Sequence, residues 1–290
     1  SRGLGDVYKR QVINFMPTKS QRLYKDPIIE KLISDLSVNE VKIIVNKLAS
    51  FENRRSGSVD NQAAVKYIES EMAAIGLKTE IDCFKKKKCN VYGRLEGLKT
   101  PQDIIIIEAH IDSVGKSYAG ADDNASGIAG LLMIARRIVK SSPDKSFIFF
   151  ATNGEEQGLH GAKYFVKKLA KENLLKNVKF VINMDMIGYN ESNTLVDIET
   201  DKKFLDLAKW MADVTHTYTS LTPNITTPAW GSDHVPFINK DIPTLLTIEH
   251  WKTKTPCYHA RCDLPDHLSY DYAVEIIKLN IAASYLKGMN

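Results

Sequence analysis

Acidic and imidazole side chains fall in short clusters along the chain. His110 and Asp112 are two residues apart, and Asp122 and Asp123 lie in a Gly-Ala-Asp-Asp-Asn-Ala-Ser-Gly turn. Glu155 and Glu156 follow Thr-Asn-Gly, Asp185 precedes Met-Ile-Gly, and His259 follows Tyr258. Imidazole nitrogen and carboxylate oxygen are zinc ligands, and a catalytic zinc keeps one position for water. Two ions about 3.5 to 4 Å apart can clamp a hydroxide and polarise a carbonyl together. His110, Asp123, Glu156, Asp185 and His259 suit that chemistry. If Asp123 bridges, His110 and Asp185 complete one ion, and Glu156 and His259 complete the other. Three carboxylates and one hydroxide then balance the charge of two Zn²⁺.

Glu155 has no place among those ligands. It is the natural general base, taking a proton from the attacking water and returning it to the leaving amine. Asp112 can accept the ring N–H of His110 and fix its tautomer. The phenol of Tyr258 can donate to a developing oxyanion. Asp122 reads as a helix N-cap.

These residues need strand ends to carry them. Residues 104–107 are four consecutive Ile, which cannot alternate in and out, so they predict a strand covered on both faces. His110 emerges at its carboxyl end, where open α/β sheets place their ligands. Apolar runs at 146–151, 179–184 and 243–248 predict further strands, which lead to Glu155-Glu156, Asp185 and Tyr258-His259.

Helical spacing covers 28–33 and 41–48, the second behind a Ser37-x-x-Glu40 capping box. It also covers 59–76, with Gly76 closing the helix, and 126–140, 161–171, 201–216 and 272–287. Residues 51–58 read as a polar turn. Residues 79–84 and 90–95 read as a hairpin whose lysine run, 85–88, guards an edge. No internal repeat or composition break marks a second domain. The expectation is one α/β domain over 24–290, a three-layer α/β/α sandwich on a mixed central sheet.

The chain has 290 residues, 43% hydrophobic and 26% charged, ordinary for a globular protein. No apolar run approaches the roughly 20 residues of a membrane span. Residues 1–11, SRGLGDVYKRQ, resemble the translation of a transposase adapter used in sequencing libraries and are set aside as foreign to the fold. They hold Arg2, Lys9 and Arg10 against Asp6, about half of the net charge of +4. The balance that is left gives no case for nucleic-acid binding. Cys257 and Cys262 flank His259 closely enough for a small disulfide loop, and Cys83 and Cys89 flank the lysine run. Four free thiols are the alternative. His160, His216, His250 and His267 lack ligand context, and Trp230 and Trp251 fit either a pocket wall or the core.

The segments AHIDS, GADDNASG, NGEE, NMDMIG, GSDHVPF and YHARCD, in this order, resemble the co-catalytic dizinc aminopeptidase family of the zinc exopeptidases (clan MH), which includes secreted bacterial leucine aminopeptidases. The similarity runs over nearly the whole chain after residue 11. It implies a zinc-exopeptidase, phosphorylase/hydrolase-like fold and two Zn²⁺ per chain, with His110, Asp123, Glu156, Asp185 and His259 as ligands and Glu155 as the base. It further implies that Asp123 bridges the ions and precedes a cis peptide to Asn124, and that the protein is secreted or periplasmic. Asp233 matches a segment lining the site, either behind the ligands or against the substrate amine. A protease-associated insert found in many relatives has no room here. The disulfide that some relatives carry near the pocket has no matching pair.

The activity so implied is aminopeptidase action on peptides with a free N-terminus. Alternatives on the same fold are a single-zinc, glutaminyl-cyclase-like aminoacyltransferase and a dipeptide carboxypeptidase. A binding module that has lost its ligands is a third, and the complete ligand set argues against it.

Overall fold

The computed structural model describes residues 11–13, 23–191 and 194–289. In chain order the elements are β1 (Gln11–Ile13), α1 (Pro27–Ser34), α2 (Val38–Ala49), α3 (Val59–Ala74), β2 (Lys78–Lys85), β3 (Lys88–Leu95) and β4 (Thr100–His110). There follow α4 (Gly127–Ile138), β5 (Lys145–Thr152), α5 (His160–Lys171), β6 (Val178–Met184), β7 (Leu195–Glu199) and α6 (Leu205–Tyr218). The last are β8 (Thr222–Thr227), α7 (His234–Ile238), β9 (Thr244–Glu249) and α8 (Tyr270–Gly288).

Among the described residues the strands form one nine-stranded sheet in the order β1-β8-β7-β9-β6-β4-β5-β3-β2. Its centre is parallel: β4 pairs with β5 and β6, and β6 with β9. The antiparallel pairs β3·β5 and β7·β9 make the sheet mixed, as expected. The four central strands therefore all end at one edge, and that edge receives His110, the loop after Thr152, Asp185 and the segment after Glu249.

The Ile run divides between two cores. Ile105 and Ile107 enter the larger one, with α1 to α4, α6 and α8, while Ile104 and Ile106 meet Phe165 of α5 and Phe237 of α7 on the other face. Phe147 and Phe149 split from Ile148 and Phe150 in the same way. This is the three-layer sandwich. Burying each such side chain contributes roughly 1.5–3 kcal/mol, so the strands that carry the site are its most firmly held part.

Some local expectations change. Ser37 makes no side-chain cap to α2. Glu40 turns instead to Arg136 and Arg137 of α4, at 3.5 and 4.0 Å, so the capping box does not form. Gly76 follows the last turn of α3 at φ 94°, the left-handed conformation a closing glycine supplies. The lysine run narrows to a two-residue turn, because Lys85 and Lys88 pair across the hairpin. The segment 51–58 is not simply a solvated turn, since Arg54 within it is fully buried. The strands β7 and β8 were not expected. Of the stretch set aside as foreign, residues 1–10 lie outside the described residues, whereas Gln11 opens β1 and pairs with Thr227.

Candidate metal centre and its cleft

His110 is the last residue of β4 and is buried. Its Nε2 lies 3.2 Å from Asp123 Oδ1 and 3.3 Å from Asp185 Oδ1. On the other side of Asp123, His259 Nε2 lies 3.2 Å from Asp123 Oδ2 and 3.1 Å from Glu156 Oε2. Two groups of donor atoms result, His110–Asp123–Asp185 and Asp123–Glu156–His259, and each could hold a metal ion. Asp123 belongs to both and gives one oxygen to each. This is the grouping expected from the sequence.

The donor set fits zinc. His110 Nε2 and Asp185 Oδ1 face each other at 3.3 Å, both buried without a hydrogen-bond partner, and Glu156, whose Oε2 faces His259, leaves its Oε1 unpartnered too. Buried polar atoms left unpaired are costly, and a cation in each donor group would satisfy them.

Other side chains hold each ligand in place. The turn at 120–127 starts from Gly120 at φ 57°, where a Cβ would stand 2.4 Å from the Asp123 carbonyl, so only glycine fits. The backbone N–H groups of Asp122 and Asp123 donate to the Asp263 carboxylate at 2.7 and 3.1 Å. The Asp123–Asn124 peptide is cis, as the resemblance implied. The Asn124 amide donates to the Met184 carbonyl and accepts from Gly127 and Met186, which ties the turn to the end of β6. Asp185 accepts the Ser232 hydroxyl at 2.7 Å, and Ser232 accepts the Asn183 amide. Arg54 reaches under the whole assembly, donating to the carbonyls of Leu48, Ile111, Ala119 and Gly120.

Asp112 acts differently from the expectation. His110 Nδ1 meets the Asp112 backbone carbonyl at 3.0 Å, while the carboxylate stands 3.8 Å away. That carboxylate instead accepts the backbone N–H groups of Gly154, Glu155 and Glu156 at 2.8, 3.2 and 3.3 Å. Asp112 thus sets the loop that presents both glutamates. Asp122 is no N-cap, for its carboxylate takes the Gly188 N–H and the Ser126 hydroxyl. Asp233 accepts the Thr152 hydroxyl in a fully buried position and does not line the cleft, so it stands behind the ligands and away from any substrate amine.

Burial sets the protonation of the acidic residues. It pushes the Glu155 carboxyl well above the usual range, helped by the charges of Asp185, Asp233 and Glu156. Glu156 and Asp233 are each raised to about 7, first by burial and then by neighbouring carboxylates. For Asp123 burial acts upward too, yet the two imidazoles outweigh it and hold the carboxylate below its usual range. Burial opposes charge on His259, but Asp123 and Glu156 raise it to about 10. His110 is raised by Asp185 and Asp123 against the same penalty.

The site opens into a cleft of about 440 Å³, lined at its acidic end by Asp123, Glu155, Glu156, Asp185 and His259. Its apolar wall is Met186, Leu246, Ile248, Trp230, Trp251 and Tyr258. Tyr258 stacks on His259 with ring centres 3.9 Å apart. The disulfide Cys257–Cys262 closes the loop that carries both residues, so a disulfide does stand beside this pocket, and Cys83–Cys89 is bonded too. His250 stands behind the cleft wall and outside both donor groups, its Nδ1 2.8 Å from Asp197.

The sequence profile of peptidase family M28 matches residues 90–284, more than half of the chain. The chain belongs to this family. It is 24% identical to a probable zinc metalloprotease of Leptosphaeria maculans over 88% of this chain and 75% of that protein. It is 31% identical to aminopeptidase YwaD of Bacillus subtilis over 65% of this chain and 43% of that one. This M28 peptidase therefore spans three quarters of the first relative and less than half of the second. Among solved structures, LapB from Legionella pneumophila superposes with TM-score 0.84 at 22% identity, covering 93% of this chain and 79% of its own. The Legionella pneumophila LapA aminopeptidase gives 0.85 at 20% identity, covering 95% and 76%. These two likenesses fix the fold.

Asp263, Arg54 and Ser232 were not singled out from the sequence, and Asn124 was named only for the cis peptide before it. Asp263 and Asn124 lie inside the YHARCD and GADDNASG segments, so a signal was present for them. Arg54 had none, because charged residues are expected outside.

Proposed function

We propose that this peptidase is a zinc-dependent aminopeptidase that hydrolyses the first peptide bond of substrates with a free N-terminus, using two zinc ions and Glu155 as general base. The observation that carries the reading is the pair of three-residue donor groups sharing Asp123. When bound, the ions polarise the scissile carbonyl and acidify the attacking water.

The rest follows from the chain's own groups. The substrate's free N-terminal amine binds at the metal end of the cleft, and the wall of Trp230, Trp251 and Tyr258 faces its side chain. Glu155 takes the proton of the attacking water and returns it to the leaving amine. Burial raises the Tyr258 phenol, so it stays protonated and can donate to the developing oxyanion. The complete ligand set supports two ions over the single ion of a cyclase-like enzyme. Residues 24–290 are taken as one catalytic domain. Two disulfides support an extracytoplasmic location, and among the described residues no helix is long and apolar enough to cross a membrane.

Zinc stoichiometry on the purified chain, measured beside release of the first residue from a peptide panel, tests the reading. Two zincs per chain and chelator-sensitive release are expected. One zinc without release would overturn it.

A further inference from the structure

Two tryptophans form the outer wall of the cleft, and both are held from β7. Val196 and Ile198 of that strand enter the larger core, which turns Asp197 and Glu199 to the opposite face. Both carboxylates are buried. Glu199 Oε1 accepts the backbone N–H of Trp230 at 2.9 Å, and Asp197 Oδ2 accepts that of Trp251 at 3.0 Å. A histidine stands against each acid: His250 Nδ1 is hydrogen-bonded to Asp197 at 2.8 Å, while His234 Nε2 approaches Glu199 to 3.3 Å without a hydrogen bond. The Asn224 amide donates to Asp197 at 2.7 Å from the neighbouring strand β8.

The rings are fixed as well. Trp230 and Trp251 meet edge to face at 6.5 Å, and Trp251 meets Tyr258 in the same manner at 5.5 Å. The Lys254 ammonium lies 4.3 Å over the Trp251 ring. An apolar subsite discriminates only as well as its walls hold position, because a side chain must find its contacts without reordering the pocket.

We infer that Asp197 and Glu199 are positioning residues that set side-chain preference, holding Trp230 and Trp251 as a rigid subsite for a large apolar N-terminal residue. The inference rests on the aminopeptidase reading above. Neither acid touches the substrate, and each acts through the main chain of one tryptophan. An amide cannot replace the Asp197 carboxylate, whereas Gln at position 199 could still accept from Trp230 and donate to the Thr226 hydroxyl, so Glu199 calls for an apolar replacement. Asp197 accepts from three donors with its two oxygens, so the Asp197→Asn substitution would turn an NH₂ toward at least one of them and release it.

The test compares release of alanine, leucine and phenylalanine from the corresponding p-nitroanilides by the zinc-loaded wild type, Asp197→Asn and Glu199→Leu. The kcat/KM ratio of leucyl or phenylalanyl over alanyl substrate is expected to fall about tenfold in each variant, chiefly through KM. The near-ultraviolet circular dichroism of the tryptophans is expected to weaken in parallel. An unchanged ratio, or an equal fall for all three substrates through kcat, overturns the inference and leaves the aminopeptidase reading standing. No release by the wild type removes that reading and the inference with it. If a variant does not fold, Trp230→Ala and Trp251→Ala leave β7 intact and must lower the same ratio.

Discussion

Glu155 and Glu156 are neighbours in the chain with separate duties, and the hydrogen bonds of Asp112 are what separate them. Glu156 reaches His259, whereas Glu155 belongs to neither donor group and faces the cleft. Glu155→Gln is therefore expected to keep two zincs while kcat falls about 10²-fold or more. Metal analysis beside steady-state kinetics checks both halves, and an active variant would remove Glu155 as the base. Asp123→Asn should weaken both ions together, because its two oxygens serve different groups. Retention of two tightly bound zincs in that variant would contradict the bridging role.

The elements divide by how each is stabilised. β4, β5, β6 and β9 were legible because burial on both faces demands unbroken apolar runs, and their ends brought four of the five ligands with them. β7 and β8 were not, because LVDIE and TPNITT carry acids, amides and a proline that read as loop. Their polar groups are satisfied across the pair, as Asn224 and Asp197 show. Arg54 was hidden for a related reason. Its burial is tolerated because it serves four carbonyls from three segments, although the low dielectric still lowers its pKa to about 10. Arg54→Met would take this donor from all four, of which Leu48 and Gly120 keep the N–H groups of Phe51 and Ala125 while Ile111 and Ala119 lose their side-chain partner, at a cost of about 3 kcal/mol. Denaturant unfolding of the metal-free protein should register the loss. Asp112→Asn acts on the loop alone: its single remaining acceptor oxygen cannot serve three N–H groups. About 1–3 kcal/mol and a larger fraction of the activity are expected to go together, with a stability no different from wild type counting against the role given to Asp112.

At the scale of the molecule, the sheet gathers one strong electrostatic conflict at one edge and leaves it for cations to resolve. Without metal, His110 and His259 are held protonated by the carboxylates around them, and Glu155 and Glu156 are held toward their neutral forms by burial. All four pKa values lie above those of the unfolded chain, so the folded metal-free protein binds more protons than the unfolded one. Its stability must then fall as pH rises, through the window from the ordinary carboxyl range to about 7 for Glu156 and from about 6.5 to about 10 for His259. Zinc competes for the donor atoms of His110, His259 and Glu156 and releases their protons, so its affinity must rise over the same interval. The melting temperature of the metal-free protein is expected to drop between pH 6 and pH 8 while that of the zinc-loaded protein drops less or climbs. Proton release should accompany zinc titration in weakly buffered solution at pH 7. A gap between the two melting temperatures that narrows with rising pH would mean that these donor atoms are not where zinc binds.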